Sequence, residues 1–306
     1  MKKCLGCGSI LQCTDINGAG YTPKLENDLC MRCFKLKHYN TLLNSGKSQD
    51  NESLLKSINK RKNFVVFLID FLNIYENIID IYKRIKNPKC LVITKSDLIP
   101  KNIKKDRLIN NIRDIYDIKE EIILTSSKTK MNFKALETLC LTHKNVLFTG
   151  FTNAGKSSLI NALIGSNITV SKKVNTTQEF IDLKFSGIKI TDAPGFINKN
   201  YLDDVPSSII KPITYQLDAK YYLTFADITF ASEVNNNLTI YISSGLKVAK
   251  RRIKSPLSYS VIVPSNSDLI IKGLGFIKIK TATKVYISLD KEYYEIRPSI
   301  IGGAHE

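Results

Sequence analysis

Long hydrophobic runs, histidines and acidic residues are all scarce in this chain, and each shortage narrows what it can do. The most apolar stretch, Phe64-Val65-Val66-Phe67-Leu68-Ile69, is cut by Asp70 and is far too short to span a bilayer, so no membrane segment is expected. The N-terminus, Met1-Lys2-Lys3-Cys4, runs directly into a cysteine motif and leaves no room for a signal or transit peptide, which points to the cytoplasm. The three histidines, His38, His143 and His305, stand without supporting partners and read as surface or packing residues. Acids number 28 against 45 lysines and arginines, a formal net charge of +17. A surplus of that size draws a chain toward polyanions, most simply nucleic acid. Seven cysteines, an odd number in a chain without an export signal, argue against a disulfide framework.

A chain of 306 residues can hold two or three domains with real cores. Residues 1–40 carry four cysteines and few aliphatic runs, too little to bury a core without a staple, so a zinc finger is expected there. Residues 41–62 are polar and basic and read as a linker. From 63 to 208, apolar strands (64–70, 90–94, 122–125, 145–149, 181–185, 188–192) alternate with amphipathic helices (74–86, 102–115, 131–143, 156–165). The alternation predicts an α/β domain of βαβ units around a mainly parallel sheet. From 209 to 306 the helical period fades. Short β-rich runs at 221–225, 228–231, 238–242, 260–263, 269–272, 276–279 and 284–289 predict a small β-rich domain that binds RNA or a partner.

The stretch Gly150-Phe151-Thr152-Asn153-Ala154-Gly155-Lys156-Ser157 fits G-x-x-x-x-G-K-[ST] between an apolar strand and a helix, the setting a phosphate loop requires. Gly150 and Gly155 let backbone amides turn toward phosphate, and the next helix presents its N-terminus to the same charge. Lys156 would reach the β- and γ-phosphates and the Ser157 hydroxyl would ligate Mg²⁺. Thr152, Asn153, Ala154 and Ser158 complete the expected nucleotide-binding set. About 35 residues on, Asp192-Ala193-Pro194-Gly195 ends another apolar strand. Asp192 can hold the metal and Gly195 can bring its amide to the γ-phosphate. Between the two lies Asn175-Thr176-Thr177, in which Thr177 is favoured as Mg²⁺ ligand and Thr176 is the alternative. Upstream of all of these, Thr94-Lys95-Ser96-Asp97 ends a strand. The Asp97 carboxylate can accept from guanine N1–H and the 2-amino group, a pairing adenine does not offer. The Lys95 stem can cover the base. Ser126-Ser127-Lys128 suits the loop behind the guanine. Ends of successive strands are where open α/β sheets bind ligands.

With TKSD and SSK preceding GFTNAGKS, NTT and DAPG, the chain resembles the circularly permuted GTPases. The N-terminal cysteine module, the C-terminal β domain, Gly273-Leu274-Gly275-Phe276 and Arg297-Pro298-Ser299-Ile300-Ile301 narrow the resemblance to the YqeH family of ribosome biogenesis GTPases. Val174-Asn175 stands where that family usually has Pro-Gly. The resemblance implies GTP/GDP as ligand, GTP hydrolysis, binding to ribosomal RNA and a role in small-subunit assembly. Phe196 comes after Gly195 and no water-orienting glutamine is near. Related GTPases of that kind recruit K⁺ through an Asn in the phosphate loop, here Asn153, so Lys156, Asn153 and Thr177 are the catalytic candidates.

Cys4-x₂-Cys7, 22 residues, then Cys30-x₂-Cys33 is the two-knuckle spacing of a closed tetrahedral Zn²⁺ site. Cys13, Cys90 and Cys140 read as core or incidental residues. Lys35, Lys37, His38, Lys56, Lys60, Arg61 and Lys62 make one basic cluster and Lys247, Lys250, Arg251, Arg252 and Lys254 a second, suited to salt-sensitive RNA binding. The competing reading is a zinc-containing RNA-binding scaffold in which guanine nucleotide is a structural or regulatory ligand. A permuted GTPase acting on another RNA is a third.

Overall fold

The computed structural model describes residues 2, 4, 10–15, 20–30, 50–164, 173–174, 180–185, 187–201, 212–243 and 245–302. Its first sheet contains β1 (Phe64–Asp70), β2 (Lys89–Thr94), β3 (Ile122–Leu124), β4 (Asn145–Phe151), β5 (Lys173–Val174), β6 (Ile181–Phe185) and β7 (Ile188–Phe196). The strand order is β3-β2-β1-β4-β7-β6-β5. The β3-β2-β1-β4-β7 stretch is parallel, and β6 and β5 add on antiparallel. The expectation of a mainly parallel sheet holds.

Strand periodicity explains the layering. Val65, Phe67 and Ile69 point to one face of β1 and join the same core as Leu91, Ile93, Leu124 and Leu147. Val66 and Leu68 point to the other, with Cys90, Val92, Ile123, Val146 and Phe148. Both faces are covered, so these strands read as continuous apolar runs. Helices α1 (Asn51–Asn59), α2 (Glu76–Arg84) and α3 (Lys105–Tyr116) close the first face. Helices α4 (Phe133–His143) and α5 (Lys156–Ile164) close the second. Cys90 and Cys140 lie buried in that second core and Cys13 is exposed. Burial pushes the Cys140 thiol up to about 11. His143 stacks on Phe64 with ring centroids 3.7 Å apart, a packing role as expected.

Within the expected linker at 41–62, residues 41–49 lie outside the described residues and Asn51–Asn59 form helix α1. Asp50 caps it by accepting from the Glu52 amide, and Leu54, Leu55 and Ile58 form one buried face. Nine residues are too few for a stable isolated helix. Burying three aliphatic side chains contributes roughly 5–9 kcal/mol before ordering costs, so packing decides the helix.

The C-terminal strands form two antiparallel five-stranded sheets. One runs β12 (Ala249–Arg252), β9 (Tyr221–Phe225), β10 (Ile228–Ser232), β16 (Thr283–Ile287), β13 (Val261–Val263). The other runs β17 (Tyr294–Pro298), β14 (Ser267–Ile271), β15 (Gly275–Ile279), β11 (Asn236–Ile242), β8 (Ile213–Leu217). Their inner faces share one core, including Leu223, Phe230, Val285, Leu238, Leu269 and Ile277. Tyr241, Ile270 and Phe276, on the other face of the second sheet, pack into the core of the α/β domain beside Phe71, Ile74 and Tyr75. The second sheet is thus a middle layer. The polar strands β8, β12 and β17 escaped the sequence reading, because backbone pairing rather than apolar alternation defines them.

Arg297 and Asp268 pin this junction. Arg297 Nε donates to Asp268 Oδ2 at 3.1 Å, and Nη1 donates to the Ile74 carbonyl of the α/β domain. The two residues are 4% and 0% exposed. Burial drives the Asp268 carboxyl above its ordinary range while Arg297 opposes the shift. Breaking a buried pair from one side leaves a stranded charge and costs about 3–5 kcal/mol. Arg297→Met is therefore expected to lower the urea midpoint sharply, and adding Asp268→Leu to recover much of the loss.

Candidate functional site

Four expected motifs meet at one edge of the first sheet. Because β1, β2, β4 and β7 run parallel, their C-terminal ends lie side by side: Asp70 opposite Thr94, Leu68 opposite Gly150, Gly150 opposite Gly195. A register shift between Phe148 and Gly150 marks where β4 turns into the phosphate loop. At Gly150 a Cβ would overlap the Leu68 carbonyl oxygen of β1, so only glycine lets these strands approach. Gly155 has φ +79°, the left-handed region that glycine enters without penalty. The loop is closed by Thr152 N–H donating to the Phe196 carbonyl at 2.9 Å. Thr152 and Asn153 are exposed, Ala154 is buried, and Gly155 to Ser158 are half-buried.

The expected guanine motif reaches the phosphate loop through Thr94. Its buried Oγ1 lies 2.6 Å from the Ala154 carbonyl and 3.2 Å from the Ile69 carbonyl, and donates its one proton between them. Residues 60 apart, in reversed order, are joined by this hydroxyl. Lys95 adopts φ 55°, ψ 30° and its ammonium lies 3.1 Å from Asp70 Oδ2. Asp97 Oδ1 accepts from Ser126 Oγ at 2.7 Å, and Ser126 Oγ accepts from the Thr129 amide. That orients the Asp97 carboxylate. Ser127 is half-buried and Lys128 exposed beside it.

Lys156 and Asp192 are ion-paired across the loop. The cation expected to reach phosphate and the acid expected to hold the metal thus occupy one spot. Gly195 is close enough to the loop that a Cβ would meet Thr152 at 3.2 Å. Asn175, Thr176 and Thr177 lie outside the described residues. So do Cys7, Cys33, Lys35, Lys37, His38 and His305. The other half of the cysteine motif is described: Cys4 and Cys30 are both buried, and the Cys30 amide donates to Cys4 Sγ at 3.1 Å.

The sequence reading missed the residues that anchor the chain leaving Gly195. Asn51 on α1 pairs both ways with the Ile197 backbone at 2.8 Å. Asn198 Nδ2 donates to the Tyr75 hydroxyl, Lys199 pairs with Glu292 at 2.8 Å, and Tyr201 N–H donates to the Lys272 carbonyl at 2.8 Å. Polar residues in loops carry no periodicity, so these contacts left no signal in the sequence.

Thr94→Val removes the hydroxyl that bridges β2 to the Ala154 carbonyl of the phosphate loop. A lost buried hydrogen bond costs about 1–3 kcal/mol, so guanine nucleotide affinity is expected to fall about tenfold. Titration with a fluorescent GDP analogue measures it.

The family model described as 50S ribosome-binding GTPase matches residues 145–244. The match begins at β4 and leaves out Thr94–Asp97, as a permuted order requires. A Bacillus subtilis protein described as uncharacterized protein YqeH is 27% identical over 82% of this chain and 78% of its own length. The small ribosomal subunit biogenesis GTPase RsgA of Klebsiella pneumoniae is 38% identical over 25% of this chain and 21% of its own. The crystal structure of YjeQ from Thermotoga maritima is 26% identical, with TM-score 0.35, covering 46% of this chain and 51% of that one. Among the described residues no helix is long and apolar enough to cross a membrane. The chain is thus a homologue of YqeH over most of both chains, carries a GTPase-family match over residues 145–244, and sets Thr94–Asp97 ahead of its phosphate loop.

Proposed function

We propose that this GTPase binds GTP at the edge formed by β2, β4 and β7 and hydrolyses it slowly. Its nucleotide state would control attachment to ribosomal RNA during small-subunit assembly in the cytoplasm. The Thr94 hydroxyl on the Ala154 carbonyl carries the reading, because it brings base-reading and phosphate-binding segments to one site. In it Gly150, Thr152, Asn153, Ala154, Gly155, Lys156, Ser157 and Ser158 cradle the phosphates. Thr94, Lys95, Asp97, Ser126, Ser127 and Lys128 surround the base.

The Lys156–Asp192 ion pair supports the roles assigned to both residues. Phosphate would draw the ammonium off and release the carboxylate. Ser157, Asp192 and Thr177 (or Thr176) would then hold Mg²⁺, which when bound neutralises charge on the β- and γ-phosphates. Phe196, next to Gly195, is fully buried against Phe67 and Phe151 and cannot orient water. Catalysis then falls to positioning and electrostatics, with Lys156 as the charge and Asn153 as a K⁺ ligand. The buried Cys4–Cys30 contact fits half of a Zn²⁺ site completed by Cys7 and Cys33.

The RNA surface we assign is the edge strand β12. Lys250, Arg251 and Arg252 are exposed there, with Lys247 and Lys254 beside them, and the Lys250 ammonium sits 4.8 Å from the centre of the Tyr221 ring. Cations with an aromatic ring suit phosphates and unstacked bases. The RsgA relative's description names the small subunit, whereas the matched family's names 50S. The resemblance to YqeH over most of the chain favours the former. The buried Phe196 also suits the scaffold alternative, in which nucleotide regulates RNA binding without turnover.

Wild-type protein is expected to hydrolyse GTP faster with small ribosomal subunits and faster in K⁺ than in Na⁺, and Lys156→Ala to lose turnover. Binding without subunit-stimulated turnover selects the scaffold; stimulation by large subunits alone rejects the small-subunit assignment. Arg251→Glu with Arg252→Glu is expected to weaken RNA binding and flatten its salt dependence by about two phosphate contacts, read from affinities across a salt series. Metal analysis is expected to give one Zn²⁺ per chain, lost in Cys4→Ser.

A further inference from the structure

Asp70 ends β1 directly beside Thr94 and is 6% exposed. Both carboxylate oxygens are engaged. Oδ1 accepts from the Leu72 amide at 2.7 Å; Oδ2 accepts from Asn73 Nδ2 at 2.9 Å and from the Lys95 ammonium at 3.1 Å. Asn73 then turns its other side-chain atom outward: Oδ1 accepts from the Gly273 amide of the C-terminal domain at 2.8 Å. Phe71, in the same turn, packs edge-on against Phe276, with ring centroids 6.0 Å apart. On the far side of that turn, the Lys272 carbonyl accepts from Tyr201, the end of the segment leaving Gly195.

We infer that Asp70 is a positioning residue for base recognition, and that its side-chain chain through Asn73 makes the 272–274 turn a joint between the nucleotide site and the C-terminal sheets. The inference rests on the GTP-binding reading. Lys95 reaches the base with a long, rotatable stem and a left-handed backbone. A buried anionic anchor removes most of the freedom of its ammonium before the base arrives. The same carboxylate fixes the 70–73 turn, so a base that orders Lys95 also stiffens the contact with Gly273. The γ-phosphate side reaches the same turn through Tyr201. Base occupancy and phosphate state therefore converge on one short segment of the C-terminal domain.

The test uses the full-length protein with GDP and with inorganic pyrophosphate. Asp70→Asn keeps an acceptor for Leu72 but takes the negative charge from Lys95. GDP affinity is expected to fall about tenfold and pyrophosphate affinity to stay within twofold. A merely structural role would weaken both together, and that result, or an unchanged GDP affinity, overturns the positioning role. Asn73→Ala lies outside the nucleotide-binding set and is expected to keep GDP affinity within twofold. Hydrogen exchange then reads the joint. GDP is expected to slow exchange at Gly273 and Leu274 in the wild type and to leave it unchanged in Asn73→Ala. No wild-type response, or the same response in Asn73→Ala, overturns the joint even if Asp70→Asn fails to fold. Wild-type protein that binds no GDP at all defeats the GTP-binding reading instead, so the two failures are distinct.

Discussion

The parallel ladder between β1 and β4 is the constraint on which this molecule depends. The two strands are about 80 residues apart, yet their pairing, together with that of β1 and β2, sets Thr94–Asp97 beside the phosphate loop. A parallel sheet defines its ligand edge by strand direction, not by the order in which strands are made, so a chain can begin at β1 and still assemble the site. The cost is loop closure over a long stretch, which grows only slowly with length. Gly150 is where the ladder is most exacting, since no side chain fits against Leu68 there.

Permutation also changes the path of the chain beyond the site. Residues 197–201, beyond Gly195, are tied to Asn51, Tyr75, Glu292 and the Lys272 carbonyl. That domain is packed on the α/β core through Tyr241, Ile270 and Phe276 and held by the buried Arg297–Asp268 pair. A sheet buried on both faces transmits small shifts poorly as bending and well as rigid-body movement.

Local chemistry was legible wherever it forces a pattern. The phosphate loop demands glycines and Lys-Ser at fixed spacing, buried parallel strands demand apolar runs, and both were readable. The expected strands and helices of the α/β domain match the observed ones to within a few residues. Helix α1 was hidden because its nine residues sit in polar, basic surroundings and only three of them are buried. Strands β8, β12 and β17 were hidden because their ladders carry them. Asp70 appeared in the sequence only as an interruption of an apolar run.

The sequence alone determined the motifs, their inverted order and the excess of positive charge, because each is written in residue types at fixed intervals. The tertiary structure alone decided that the Thr94 hydroxyl meets Ala154, that Asp70 holds Lys95, and that Asn73 meets Gly273. These contacts join residues 60, 25 and 200 positions apart. No local preference encodes such pairings; they arise from the strand register and from two domains sharing one core.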